Sequence, residues 1–192
     1  KMQESAQFFN DTGVSMSMQG FHNEAIACLK KGLALEPDNS LMWLNLGLSY
    51  YAAKRQNDSK FALFQSLKYN PYEADAWDSL GLVLFETGDI DQAERAFESA
   101  IKLEPENGRV WNNYGTVLFN KENYRAARRA FESAVTLDPE MGDAVFNLRD
   151  TYLELGMNDL AERCNKILKE MDKSNEYLAK IESYFSKKDT IE

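Results

Sequence analysis

The sequence predicts an all-α fold made of about five helix-turn-helix units followed by a C-terminal helix. Two observations carry this prediction. The first is internal repetition. The four prolines, Pro37, Pro71, Pro105 and Pro139, fall at a constant interval of 34 residues. Gly13, Gly47, Gly81 and Gly115 keep the same interval, as do Trp43, Trp77 and Trp111, the only three tryptophans. Phe9 and Val145 extend the tryptophan register at either end. A fixed period of a few tens of residues marks a stacked array of supersecondary units. The second observation is the helical spacing of apolar residues inside each period.

The unit at residues 74–107 illustrates the pattern. Trp77, Leu80, Gly81 and Leu84 follow i, i+3, i+4 and i+7, one face of a first helix. Gly88-Asp89 interrupts it. Ala93, Phe97, Ala100 and Ile101 share one face of a second helix. Leu103-Glu104-Pro105 closes the unit, because proline disfavours helix at the preceding residue and suits the start of the next segment. Gly81 and Ala93 lack bulk where two helices approach. Helix axes pack about 8–10 Å apart, and small residues permit the near end of that range.

These residues resemble the tetratricopeptide repeat (TPR) family, whose pattern runs Trp-x2-Leu-Gly-x2-Tyr, then Ala-x3-Phe, then Ala and Pro. The second unit supplies Trp43, Leu46, Gly47, Tyr50 and Pro71, with Ser59 and Leu63 in place of Ala and Phe. The third supplies Trp77, Leu80, Gly81, Ala93, Phe97, Ala100 and Pro105. The fourth supplies Trp111, Gly115, Ala127, Phe131, Ala134 and Pro139. The first is looser, with Phe9, Gly13, Ala25, Leu29, Gly32 and Pro37. The resemblance implies a right-handed solenoid over a single domain, residues 1–192. Its repeats lie at about 6–39, 40–73, 74–107, 108–141 and a degenerate 142–173. In that last unit Arg149 replaces the packing glycine, Asn165 the aromatic and Lys173 the proline. Arg149 is expected to splay its helix pair, and polar residues at such slots suit a terminal repeat that meets water. Residues 174–188 carry Tyr177, Leu178, Ile181, Tyr184 and Phe185 on one helical face. They are expected to cap the array. The alternative is one long helix whose Ile167, Met171, Ser174, Leu178, Ile181 and Phe185 form a heptad seam for self-association.

In TPR proteins the first helix of each unit lines a concave groove, through positions 2, 5, 6, 9, 12 and 13 of the unit. Position 6 here holds Asp11, Asn45, Ser79, Asn113 and Asn147. An asparagine amide both donates and accepts, so it can grip a peptide backbone without reading its side chains. The resemblance implies that Asn45, Asn113 and Asn147 form part of such a ladder, with Asn112, Asp75, Asp78 and Arg109 beside them. Over all six slots seven acids (Asp11, Asp75, Asp78, Glu86, Asp143, Asp150, Glu154) oppose one base, Arg109. The lysines and arginines with which chaperone-adaptor TPR domains hold acidic C-termini are missing. The expected ligand is therefore a basic or mixed basic–apolar peptide or helix, held against Leu41, Leu44, Leu48, Tyr51, Leu82, Phe85 and Phe119. On the outward side, positions 22 and 25 hold Phe61 and Phe64 in the second unit alone. That pair makes homo-oligomerisation through the convex face, or through Leu178, Ile181 and Phe185, the alternative role.

Composition excludes several functions. Twenty-two Lys and Arg against thirty-one Asp and Glu give a net charge of −9, contrary to the basic stripe a nucleic-acid binder needs. No apolar run reaches the length of a membrane span. Neither a phosphate-binding loop nor a dinucleotide fingerprint is present. One histidine, His22, and two cysteines, Cys28 and Cys164, do not furnish a catalytic triad or a metal cage, so no enzyme activity, metal or cofactor is expected. Cys28 and Cys164 stand four repeats apart, too far to bridge. The compartment stays open between the cytoplasm and, where an N-terminal signal has been removed, the periplasm or exterior.

Overall fold

The computed structural model describes the backbone of residues 5–188 and the side chains of residues 5–173. Among the described residues there are ten helices and no strand. They are α1 (Ala6–Met18), α2 (His22–Leu35), α3 (Ser40–Ala52), α4 (Gln56–Tyr69), α5 (Ala74–Glu86), α6 (Ile90–Leu103), α7 (Gly108–Asn120), α8 (Tyr124–Leu137), α9 (Gly142–Glu154) and α10 (Asn158–Lys188). Contacts group them into two units, residues 1–105 with α1 to α6 and residues 106–192 with α7 to α10.

Each helix pair is set by one close approach. An added Cβ on Gly13, Gly47 or Gly81 would lie 2.7 Å from Leu29, Leu63 or Phe97, and on Gly115 2.6 Å from Phe131. Glycine at position 8 of the first helix thus makes room for the large residue at position 24 of the second. Around this contact the small residues Ala25, Ser59, Ala93 and Ala127 are fully buried. Ser59 stands where the other units have alanine, and its hydroxyl donates to the Gly47 carbonyl at 2.8 Å. Ser66 likewise donates to the Ser40 carbonyl at 2.9 Å. Both polar substitutions in the second repeat are therefore satisfied.

The turn inside each pair is uniform. Position 15 is left-handed in all five, with Gly20, Gly88 and Gly156 at φ 86°, 84° and 69°, and Lys54 and Glu122 at 60° and 59°. The next N–H then reaches back five residues, as in Arg55 to the Tyr50 carbonyl (2.8 Å) and Asp89 to the Leu84 carbonyl (2.8 Å). This bond closes a Schellman-type cap on the first helix. Ser5, Asn39 and Asn107 cap the starts of α1, α3 and α7 by accepting from the backbone N–H three residues on. Tryptophan and proline share one period because they bond. The indole N–H of Trp43 donates to the Pro37 carbonyl at 2.8 Å, and that of Trp77 to the Pro71 carbonyl at 2.9 Å. Each indole thereby ties its repeat to the end of the one before.

In the first unit α1 touches α3 and α3 touches α5, so these first helices form the inner side, with α2 and α4 behind them. Ile26, Leu29 and Leu33 of α2 share a core with Met42, Leu46 and Tyr50 of α3. In the second unit Phe131 and Ala130 of α8 share a core with Val145, Leu148 and Tyr152 of α9 and Ala161 and Cys164 of α10. The fifth pair is thus closed rather than splayed. Arg149 turns its guanidinium onto the Phe146 ring, 3.9 Å from the centroid, and the residue at position 24 is the smaller Asn165. Residues 174–188 continue α10 without a break. After Gly156 the chain has no glycine or proline to stop a helix.

Two substitutions at glycine-type positions have opposite expected signs. Lys54→Gly relieves a left-handed lysine and is expected to stabilise the fold by about 0.5–1 kcal/mol, part of the gain being lost to the flexibility of glycine when unfolded. Gly81→Ala forces the Phe97 ring aside and is expected to cost about 1–3 kcal/mol. Urea denaturation of both variants checks the pair of signs.

Candidate functional site

The inner slots of the first helices fall into two classes. Position 5 is buried throughout the first unit, at Asn10, Leu44 and Asp78. Asp78, expected to present a carboxylate to the groove, is 1% exposed and does not. Leu44 likewise leaves the expected apolar strip. Position 6 stays open. Asn45 bridges the two classes by donating from its side-chain amide to Asn10 Oδ1 at 2.9 Å. Asn147 repeats the bond with Asn112 Oδ1 at 3.0 Å. The position 6 amide is therefore aimed by the position 5 side chain of the preceding repeat, and it keeps a second N–H and a carbonyl oxygen on the half-exposed side.

Beside Asn45 runs an open cleft of about 610 Å³, lined by Asn10, Asp11, Val14, Met18, Leu41 and Asn45 among others. Leu41 is exposed along it, and Leu48 is exposed two turns further along α3. Asp75 is exposed, and Leu82 and Phe85 are half-buried. Tyr51 donates its hydroxyl to Glu86, which links α3 to α5. Lys54 lies over the Tyr51 ring, 5.8 Å from its centroid. The bond to Glu86, then partial burial and the Glu86 charge, push the Tyr51 phenol up to about 12. Tyr51 is thus a packing and bridging residue with its hydroxyl already engaged. No lysine or arginine stands at an inward slot of the first unit.

The second unit differs. Arg109 is exposed, Asn112 and Asn113 are half-buried, and Phe119 packs edge-to-face on Tyr124 at 5.1 Å. Sequence reasoning took Arg149 for a packing defect and did not count it as part of the inner face. Its guanidinium stacks on exposed Phe146 and donates to Asp150 Oδ1 at 2.9 and 2.7 Å. The i, i+3, i+4 spacing of Phe146, Arg149 and Asp150 is the signal that could have found this cluster. Asp78 is buried, and exposed carboxylates at inner slots include Asp11, Asp75 and Glu86 in the first unit and Asp143 and Glu154 in the second.

Outside the inner faces, Phe61 and Phe64 of α4 are 58% and 45% exposed, with Phe61 edge-on to Trp43 at 6.0 Å. Leu178, Ile181 and Phe185 lie outside the residues whose side chains are described. His22 Nδ1 is 3.5 Å from Ser17 Oγ, in the turn region of the first pair. Cys28 is half-buried 3.8 Å from Met16 Sδ, and burial pushes the Cys164 thiol up. Among the described residues no group of three or more His, Cys, Asp or Glu side chains is placed to hold a metal ion. No described helix is long and apolar enough to cross a membrane.

The raised Tyr51 value has a testable sign. The folded state favours the neutral phenol, so its contribution is complete below pH 10 and is lost as pH rises from 10 towards 12. Glu86→Ala is expected to bring one tyrosine back towards 10 in an ultraviolet absorbance titration. An unchanged titration would show that Glu86 does not hold Tyr51.

Comparison with known proteins agrees with this architecture. A tetratricopeptide repeat family model matches residues 19–76 and 79–140, and a second such model matches residues 118–182. No curated protein sequence gives a significant match. Among solved structures, a crystal structure of MamA superposes with a TM-score of 0.80 at 24% identity, covering 86% of this chain and 96% of that one. MamA from Desulfovibrio magneticus RS-1 superposes at 0.82 and 19% identity, covering 91% and 98%. Pseudomonas aeruginosa pilF superposes at 0.80 and 17% identity, covering 86% and 76%. These likenesses show the fold. A TPR fold of this kind is typically non-catalytic and supports a role as a protein–protein interaction or scaffold module. The chain belongs to the tetratricopeptide repeat family.

Proposed function

We propose that the inner face of α1, α3 and α5 binds a basic or mixed basic–apolar peptide or helix of a partner protein. The observation that carries this reading is the combination at Asn45. Its amide is held in place by Asn10 at 2.9 Å, in a cleft that also holds Asp11 and exposed Leu41, with exposed Leu48 on the same helix, Asp75 and Glu86 exposed on α5, and no lysine or arginine at an inward slot of that unit. A pre-aimed amide loses less freedom on binding than a mobile one. Exposed leucines supply apolar area. The carboxylates favour a cationic ligand over an anionic one and speed its encounter. In the second unit Asn113, Asn147 and Arg109, with the Phe146–Arg149–Asp150 cluster, support a more mixed ligand surface.

A second reading rests on Phe61 and Phe64. Two exposed aromatics three residues apart on one helix face support an interface for a further copy of the chain. The two readings are compatible, because an oligomer presents several grooves and gains avidity.

A fluorescent helical peptide of alternating lysine and leucine stripes tests the first reading by anisotropy. Asp75→Lys and Asn45→Ala are each expected to weaken binding several-fold or more. Raising salt from 0.1 to 0.5 M is expected to weaken it as well, since screening shortens the reach of exposed charges to a few Å. Equal affinity for a glutamate–leucine peptide would overturn the charge assignment, and indifference to both substitutions would overturn the site. Light scattering of Phe61→Glu/Phe64→Glu tests the second reading, which fails if the mass of the wild-type chain in solution is unchanged.

A further inference from the structure

The inner face of the second unit holds a small cavity between α7 and α9. It is lined by Thr116, Phe119, Phe131, Asn147 and Asp150. Its volume of about 60 Å³ is about a tenth of the 610 Å³ of the cleft beside Asn45, room for the end of one side chain rather than for a length of peptide. Phe131 is buried with its ring against Gly115, and half-buried Phe119 packs edge-to-face on Tyr124. The three polar side chains offer lone pairs. The Thr116 hydroxyl gives its hydrogen to the Asn112 carbonyl at 3.0 Å, so its oxygen is left as an acceptor. The Asn147 amide donates to Asn112 Oδ1 at 3.0 Å and keeps its carbonyl oxygen and one N–H. Both hydrogen bonds from Arg149 go to Asp150 Oδ1, at 2.9 and 2.7 Å, which leaves Asp150 Oδ2. The lining thus combines two aromatic rings with an excess of acceptors.

The same slots of the first unit carry different chemistry. Position 9 pairs Thr116 with Asp150 here, but Val14 with Leu48 and Leu48 with Leu82 there. Position 12 of α3 is Tyr51, whose hydroxyl donates to Glu86 at position 13 of α5. In the second unit position 12 of α7 is Phe119 and position 13 of α9 is Glu154. The carboxylate is retained and the donor that served it is gone. Glu154 is exposed, one turn beyond Asp150 on α9. Burial, then the Glu154 and Glu122 charges, push the Tyr124 phenol up, so the Glu154 charge reaches the ring on which Phe119 packs.

We propose that this cavity is the subsite for one lysine side chain of a bound peptide, its stem against Phe119 and its ammonium donating to Asp150 Oδ2 and to Glu154, as the Tyr51 hydroxyl donates to Glu86 in the first unit. The proposal rests on the inner faces being the peptide-binding side, and it names the residue that the second unit reads. A lysine stem packs on apolar surface while its charged end stays at the rim, and an ammonium is drawn to aromatic ring faces. Three rotatable N–H donors suit acceptors divided between two helices, whereas the rigid fork of a guanidinium needs a matching planar pair. Arg149 offsets the charge of Asp150, so Glu154 supplies the net attraction. An aliphatic side chain would leave the acceptors of the cavity without donors, which sets this subsite apart from the leucine-lined slots of the first unit.

Anisotropy on the full chain tests this with the lysine–leucine peptide and with a counterpart in which arginine replaces every lysine. Glu154→Gln removes the charge at an exposed position. Phe119→Tyr restores to Glu154 the donor that Tyr51 gives Glu86, and so competes with the ligand. Each variant is expected to weaken the lysine peptide about two- to fivefold and the arginine peptide less. Thermal melts are expected to show both variants at least as stable as wild type. Affinity for the lysine peptide that either variant leaves unchanged, while Asp75→Lys still weakens it, would overturn the subsite and leave the first-unit reading standing. Weakening by both variants with no effect of Asp75→Lys or Asn45→Ala would support the subsite and overturn the first-unit reading. Equal losses for the two peptides would overturn the assignment to lysine. A lysine peptide that does not bind the wild-type chain would overturn both readings.

Discussion

The contact between a glycine at position 8 and a bulky side chain at position 24 is the constraint from which the rest of the structure follows. Because Gly13, Gly47, Gly81 and Gly115 admit Leu29, Leu63, Phe97 and Phe131 within van der Waals reach of the backbone, each pair closes tightly along one line. Tight closure buries the small residues that flank it and fixes the short left-handed turn between the helices. It also sets where the following repeat starts, since a second helix of fixed placement presents the same carbonyl to Trp43 and to Trp77. The fifth pair tests the rule from the other side. Arg149 cannot enter the space a glycine leaves, and the pair closes because the guanidinium turns outward and Asn165 is short.

That division of labour determines what the inner face can do. Positions 3, 7 and 8 of α3 and α5 are committed to packing, and position 5 joins them in the first unit. Asn10 and Leu44 are buried in this way, whereas Phe146 of α9, the last first helix, is exposed. Positions 2, 6, 9 and 13 are released from packing and can vary with the ligand. The bond from Asn45 to Asn10 couples the two sets, because the amide that secures one repeat to the next also stands on the half-exposed inner face. Under the proposed function recognition and stacking share residues, and a substitution at Asn10 is expected to act on both.

The repeat period, the helix pairs, the turns and the packing glycines were legible in the sequence because each depends on a local residue type recurring at a fixed interval. The tie between Trp43 and the Pro37 carbonyl follows from the same interval, although the interval does not say that the two bond. Burial of Asp78 and pairing of Asn45 with Asn10 were not legible. The pairing depends on which side chain of the adjacent repeat lies alongside, and a pattern of slots treats every slot as equally open. Arg149 was misjudged for a related reason. A long side chain can carry its charge several Å from its backbone, so a bulky residue at a packing slot need not force the helices apart.

The account stands on the inner face being the one that meets a partner. Backbone amide chemical shifts of isotopically labelled chain, followed during titration with the lysine–leucine peptide, test that directly. The account predicts that the perturbed amides cluster on α1, α3 and α5, centred on Asn45 and Leu48 and extending to Asp75 and Ser79. Perturbations confined to α2 and α4, around Phe61 and Phe64, would contradict it and assign recognition to the outer side.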